Sequence, residues 1–330
     1  MMNTSSNCSL QANFQYHFFS TIYSLVFILG MTENALALYV LTCKVKNTTQ
    51  SYVYFINLAI VDTMFVCMLP FRIHYHINEN NWIFGDITCR ITGTLYFTNI
   101  YLSIGFFTCI CVDRYVAVVH PVTYLRIKIS YYSIMITVLL WAIAAAIMVP
   151  LILGGRLDNF IEHNNKTACF ENFSLRSWTT RMVPYNTCAL VFGFVIPFSI
   201  IMISYPLIAK RISKIQTSIH KKKALRTIYM ILAISILCFL PYHITHLLHF
   251  MMRIKLFDHC AFASFIYKLR RVTLALVSIN CCLNPIMYYL TSTSYSGLIT
   301  LKLRRLRAKK VYTIYDRDVT KFNCTYRNKL

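Results

Sequence analysis

The sequence predicts an all-α membrane protein, a bundle of seven transmembrane helices followed by a short amphipathic eighth helix. Three observations carry that prediction. Of the 330 residues, 57% are hydrophobic and only 13% charged, against about 25% charged in an ordinary soluble domain. Such a chain cannot cover its apolar core with a polar skin. Seven segments are apolar enough to cross a bilayer, which takes roughly 20 residues of helix. The remaining charge, net +22, gathers on one side of those segments, as lysine and arginine do in loops facing an anionic inner leaflet. Nucleic-acid binding is excluded, because it needs a soluble basic face.

The N-terminal segment, 1–16, is polar, with neither a basic start nor an early apolar run. No cleavable signal peptide is expected, and the first apolar segment must direct insertion itself. The membrane domain, 17–290, holds spans at 17–43, 51–77, 88–119, 130–155, 181–209, 224–252 and 263–290. Asp62 interrupts the second. Pro70, Pro150, Pro197, Pro206, Pro241 and Pro285 fall inside spans and predict kinks that a lipid-embedded bundle tolerates. No lysine or arginine occurs before Lys44, whereas the loop after the fifth span carries Lys210, Arg211, Lys214, Lys221, Lys222, Lys223 and Arg226. The expected topology is therefore an extracellular N-terminus and a cytoplasmic tail. The sequons at Asn3, Asn7, Asn165 and Asn172 all fall outside and are the expected glycosylation sites. Residues 291–310 set Leu298, Leu301 and Leu306 against a dense basic face. That pattern predicts a helix lying on the inner leaflet, followed by a polar tail, 311–330.

Within this scheme the placement of charge is informative. No charged residue occurs from Ile91 to Val112; then Asp113 and Arg114 stand together at the end of the third span. A lone arginine there would be a snorkelling side chain. Asp62 lies mid-span, where an acid needs a partner. The motifs "NLAIVD" (57–62), "DRY" (113–115), Trp141, "CFLPY" (238–242) and "NPIMY" (284–288) follow in that order, one group per span. The chain resembles the rhodopsin-like family of G-protein-coupled receptors over roughly residues 20–305.

The resemblance implies roles. Asp113 would hold Arg114 at rest, with Tyr115 beside them, and release it toward a heterotrimeric G protein; arrestin is a further possible partner. Tyr205 and Tyr288 would move toward Arg114. Pro241 gives the sixth span its kink, and Asn284 and Pro285 belong to the seventh-span motif. Asp62, Asn99, Ser103, Asn280 and Asn284 match the family's sodium pocket, and a carboxylate among neutral oxygens suits a hard cation. An allosteric sodium ion is thus conceivable; no other cofactor is expected. Phe239 replaces the tryptophan most members carry. Glu33, unusual in a first span, is expected neutral or hydrogen-bonded inside the bundle.

Of thirteen cysteines, Cys8, Cys89, Cys169 and Cys260 lie in outer polar segments, and four cysteines allow three connectivities. The resemblance implies Cys89–Cys169 and Cys8–Cys260. At the position of Tyr96 the family's amine receptors carry an acid, so an amine ligand is not expected. On the outer side, basic residues from Arg72 to Arg271 outnumber acids eleven to six. Positive charge where topology favours neutrality suggests an anionic ligand. Arg72, in "LPFRI", stands about 15 Å along the helix from Asp62 at 1.5 Å per residue, and could clamp a phosphate or carboxylate bidentately. Tyr96, Tyr101, His243, His246, Arg270 and Arg271 are the other candidate ligand contacts. The stretches "LPFRI", "TNIY", "FTCICVDR", "CFENFS" and "CFLPYH" are similar to the lysophosphatidic-acid and nucleotide receptor branch, with platelet-activating-factor receptors nearby. His246 and Leu274 stand where nucleotide receptors carry basic residues, which favours a lysophospholipid over a nucleotide. The spacing of His243, His246 and His249 also allows a proton sensor, though pocket hydrogen bonding is the plainer reading.

Catalysis is not expected. An aspartyl protease needs two facing carboxylates, and Asp62 and Asp113 differ in depth. A secondary transporter would show paired repeats, and none is visible. The expected locale is the plasma membrane, with membrane lipids as surroundings.

Overall fold

The structure, a computed structural model, describes residues 12–43, 50–126, 129–154, 158–161, 166–170, 183–213, 219–253 and 260–291. Among the described residues, seven helices are long and apolar enough to cross a membrane: Gln15–Cys43, Tyr52–Ile77, Gly85–Val119, Tyr131–Leu153, Val183–Ser213, Ala224–Met252 and Cys260–Tyr289. They match the expected spans in number and order. The third begins earlier than its apolar run suggests. Gly85 adopts φ 78°, a conformation costly for residues with a Cβ, and opens the helix; Asp86 in the first turn suits its positive end.

The bundle is built around the third span, whose buried positions run from Cys89 to Val118. Phe106, Phe107, Phe239, Tyr242 and Tyr288 are fully buried along its axis. The fourth span is peripheral, exposing Ile134, Met135, Val138, Leu139, Ile143 and Ile147. That exposure suits lipid as the surrounding solvent.

Proline does more than kink these helices. Two spans contain a turn of π-helix, Val191–Val195 and Ser235–Phe239. Each precedes a proline by two residues, Pro197 and Pro241. A proline has no N–H for the carbonyl four residues back, and its ring crowds that carbonyl. The chain widens the turn instead, and the amides of Ile196 and Leu240 bond five residues back, to Val191 and Ser235. Pro70, Pro150, Pro206 and Pro285 stay inside helices.

A hairpin caps the N-terminal face, a feature the sequence reading did not anticipate. Strand β1, Asp158–Ile161, pairs antiparallel with β2, Lys166–Cys169. The hairpin is tied to the bundle on several sides. The Trp82 amide donates to the Thr167 carbonyl at 2.8 Å, and the Thr167 amide to Asn81 Oδ1 at 3.0 Å. Lys166 pairs with Glu79 at 2.6 Å, and Cys169 is disulfide-bonded to Cys89, as expected. Cys260 is also disulfide-bonded; Cys8 lies outside the described residues. So do Asn3, Asn7, Asn165, Asn172, segment 292–310 of the expected eighth helix and the tail.

Candidate functional site

Toward the N-terminal face, five spans bring polar side chains together inside the bundle. Arg72 follows Pro70 by two residues on the second span and is half-buried. Its Nε is buried without a partner, and among the described residues it forms no hydrogen bond or ion pair. It lies within electrostatic reach of Tyr96. The Tyr96 hydroxyl donates to the Leu274 carbonyl at 2.7 Å, joining the third and seventh spans.

The sixth span supplies the histidines. His243 Nδ1 is 2.8 Å from the Phe239 carbonyl, and a carbonyl can only accept, so Nδ1 carries the proton. His243 Nε2, buried without a partner, is then a bare acceptor. Its ring stacks on Phe194 at 3.8 Å and 4° and meets Tyr101 edge-on at 5.8 Å. The π-turn explains this access. A Cβ at Gly193 would lie 2.6 Å from the Tyr101 ring, so glycine there lets the fifth span close on the third. His246 Nε2 donates to Asn186 Oδ1 at 3.3 Å; its Nδ1 is buried without a partner.

The seventh span adds cations. Arg271 is buried, lies 4.9 Å over the Tyr267 ring and donates to the Tyr267 hydroxyl at 2.7 Å. Arg270 is in electrostatic reach of Tyr242 and His246. Over this cluster lies Phe170, next to the disulfide, with φ 60°. A Cβ at Gly93 would overlap its ring. Phe170 also packs near Phe97, at 5.6 Å, and against Leu151. Phe170, Phe194 and Asn186 were not among the candidate residues; the lone glycines at 93 and 193 inside apolar helices were the available signal.

Deeper in the bundle, Asp62 is fully buried. Asn99 Nδ2 donates to its Oδ1 at 2.9 Å and Asn284 Nδ2 to its Oδ2 at 2.7 Å. Ser103 and Asn280 are buried too, with Ser103 Oγ and both amide atoms of Asn280 lacking partners. Trp141 Nε1 bonds Asn57 Oδ1 at 2.8 Å, holding the fourth span to the second. Among the described residues Glu33 forms no hydrogen bond, and its Oε2 is buried. Of the two expectations, neutral or hydrogen-bonded, the second is not met among the described residues: Glu33 sits one turn from exposed Leu29 and Leu36.

At the opposite face, Arg114 Nε and Nη2 lie 3.1 and 2.7 Å from the same oxygen of Asp113. Asp113 is buried and Arg114 half-buried. Tyr115 meets His120 at 5.7 Å, and Tyr288 packs on Phe55 at 5.1 Å. Tyr124, on a short helix Pro121–Arg126, has its phenol pushed above the ordinary value by burial and then by the Asp113 charge. Tyr205 is half-buried on the fifth span.

Comparison with known proteins agrees with this arrangement. Residues 33–288 match the model of the seven-transmembrane receptors of the rhodopsin family. The chain is 34% identical to lysophosphatidic acid receptor 6 of Gallus gallus over 89% of its own length and 96% of the relative's. It is 33% identical to lysophosphatidic acid receptor 4 of Homo sapiens, covering 88% and 78%. With a purinoceptor of Meleagris gallopavo it shares 31%, over 92% and 84%. Members of this family are receptors and not enzymes. An acid–base pair at one mouth, a buried carboxylate at mid-depth and a cationic cluster at the other mouth are arranged here on seven spans, and the chain belongs to the rhodopsin family of seven-transmembrane receptors.

Proposed function

We propose that this receptor sits in the plasma membrane with its N-terminus outside, binds an anionic lysophospholipid and activates heterotrimeric G proteins. The observation that carries the ligand class is Arg72. A guanidinium in the outer half of a bundle, with its Nε buried and no acid paired to it among the described residues, is costly unless a ligand supplies the negative charge. The relatives named for lysophosphatidic acid support a phosphate-bearing lipid. His243 Nε2 and His246 Nδ1 offer lone pairs, not protons, so they suit a hydroxyl on the ligand. Cations for the phosphate and acceptors for a hydroxyl fit a glycerol-based lysophosphatidate. A nucleotide is the second reading, favoured by the purinoceptor likeness; Leu274 offers it only a carbonyl, already taken by Tyr96. At mid-depth, Asp62 with Ser103 and Asn280 would hold a sodium ion, and arrestin would follow the G protein at the inner face.

The test is a dose–response series with lysophosphatidate and with nucleoside diphosphates, read as G-protein dissociation at matched surface expression. A charge-assisted hydrogen bond contributes about 1.5–3 kcal/mol. Arg72→Ala should therefore cost lysophosphatidate at least about tenfold in potency, the equivalent of ~1.4 kcal/mol. Arg72→Lys should recover part, since it keeps the charge but not the two-pronged geometry. Equal potency for wild type and Arg72→Ala overturns the reading.

A further inference from the structure

Beside the two histidine acceptors of the sixth span stands a donor with nothing to donate to. Tyr242 is fully buried, and among the described residues its hydroxyl forms no hydrogen bond. Its ring lies against His246 at 5.5 Å and 21°, and across His243 at 5.0 Å and 80°. Tyr96, Tyr101 and Arg270 are within electrostatic reach of it. The Tyr96 hydroxyl gives its own proton to the Leu274 carbonyl, and a guanidinium has no lone pair to offer. Depth then limits what the phenol can meet. Measured along its own helix, Arg72 stands five residues from the outer end at Ile77, about 7.5 Å. Tyr242 stands eleven residues from Arg253, about 16.5 Å. An anionic head held by Arg72 therefore leaves the phenol on the tail side of the ligand.

We infer that the Tyr242 hydroxyl donates to the ester carbonyl of the bound lipid, so that the receptor selects an acyl over an alkyl lysophosphatidate. The inference rests on the lysophospholipid reading of the same site. Below the phosphate such a lipid carries two polar groups, a glycerol hydroxyl and the carbonyl of its acyl ester. The hydroxyl needs an acceptor, which His243 Nε2 and His246 Nδ1 supply. The carbonyl needs a donor, and Tyr242 is that donor. In the free receptor the phenol has already been stripped of water, so its hydrogen bond to the ligand is gained without a second dehydration cost. An ether-linked chain has no carbonyl. Its one oxygen is flanked by two methylenes and accepts weakly, so with an alkyl lipid bound the phenol stays unsatisfied.

The test compares two probes with the same head group and chain length, the oleoyl ester of glycerol 3-phosphate and the corresponding oleyl ether. G-protein dissociation is read on the full receptor at matched surface expression. The ester should be at least about fivefold the more potent, the size of one hydrogen bond. Tyr242→Phe keeps the ring and removes only the hydroxyl. It should weaken the ester by that factor and leave the ether within about twofold, so the preference disappears. Arg72→Ala should weaken both probes and keep their ratio. Equal potency in the wild type means that the phenol has another partner, such as a trapped water, and overturns the inference. So does a preference that survives Tyr242→Phe, or a Tyr242→Phe receptor that loses both probes alike. A wild-type receptor silent to both probes overturns the lysophospholipid reading itself, and this inference with it.

Discussion

Asn34 Nδ2 donates to the carbonyl oxygen of Cys281 at 2.9 Å, and Cys281 is the residue four before Pro285. The two facts are one arrangement. Proline has no N–H for the carbonyl four residues back, so the seventh helix leaves the Cys281 oxygen without its usual donor inside a bundle that holds little water. An amide from the first span supplies it. The same amide nitrogen bonds the Gly30 carbonyl at 2.9 Å, which fixes its orientation. Gly30 completes the fit, because a Cβ there would lie 2.9 Å from Val66 and 3.3 Å from the Cys281 sulfur.

Asn34→Ala should therefore destabilise the receptor by about 1–2 kcal/mol, the cost of a buried carbonyl left unsatisfied. Asn34→Asp cannot restore the bond as a carboxylate, having no N–H to give. The check is the thermal midpoint of the purified receptor. An unchanged midpoint for Asn34→Ala would show that another donor reaches Cys281.

Gly93 makes a second prediction. A Cβ there would run into the Phe170 ring, so Gly93→Ala forces Phe170 off the third span. The disulfide beside Phe170 limits how far it can retreat. Agonist potency should fall at least about tenfold, and Phe170→Ala in the same chain should restore part of it. No recovery in the double variant would place the damage elsewhere.

Much of this was legible in the sequence, and the reasons are physical. Helices in a bilayer must satisfy their backbone internally, so spans can be read from composition; Asp62 and Asp113 stand out because charge is rare there. The pairing of Arg114 with Asp113 needed only adjacency. The π-turns at Val191–Val195 and Ser235–Phe239 were not legible, because Pro197 and Pro241 announce a disturbance but not its form: Pro70 and Pro206 have the same chemistry and no π-turn. Phe170 over Gly93 was hidden for a different reason. It depends on where a disulfide and the Trp82–Thr167 bond bring a loop in space, and no local periodicity records that. Glu33 could be read only as neutral or hydrogen-bonded, because consecutive helical positions lie about 100° apart and its neighbour Asn34 does not fix which way it faces.

The hairpin tether predicts a pH dependence. Glu79 is exposed, and its hydrogen bond to Lys166, followed by the lysine charge, holds its carboxyl below the ordinary 4.5. A folded value below the unfolded one means the tether contributes above pH about 4.5 and is lost as pH falls through the folded value. Amide exchange over Lys166–Cys169, corrected for intrinsic rates, should accelerate on acidification across that window. In Glu79→Gln it should be already fast and flat. The effect is small, since both groups meet water.

Asp62 yields a prediction independent of agonist chemistry. Its two oxygens each take one amide, from Asn99 and Asn284, and each retains lone pairs. A sodium ion bound there would raise the thermal midpoint as its concentration climbs above its dissociation constant. Choline of equal ionic strength should not. Asp62→Asn keeps the shape and removes the charge, so the sodium increment should vanish. If it persists, the ion binds elsewhere.

The final prediction concerns Arg114. Arg114 Nε and Nη2 both reach one oxygen of Asp113, a buried and charged acceptor. Asp113→Asn leaves an oxygen that accepts but carries no charge, so both bonds lose their charge assistance. Charge-assisted bonds are roughly twice as strong as neutral ones, so a loss of about 1 kcal/mol is expected, and the resting population should shift about fivefold. Basal GTP exchange on reconstituted G protein should rise by a similar factor without agonist. Arg114→Ala should do the opposite. It removes the group that would enter the G-protein cleft, so agonist binding and surface delivery persist while exchange is lost. The two variants break the same ion pair yet should move signalling in opposite directions, which separates a latch from a contact that merely stabilises the fold. If both only lower exchange in parallel with expression, the pair is structural and coupling lies elsewhere.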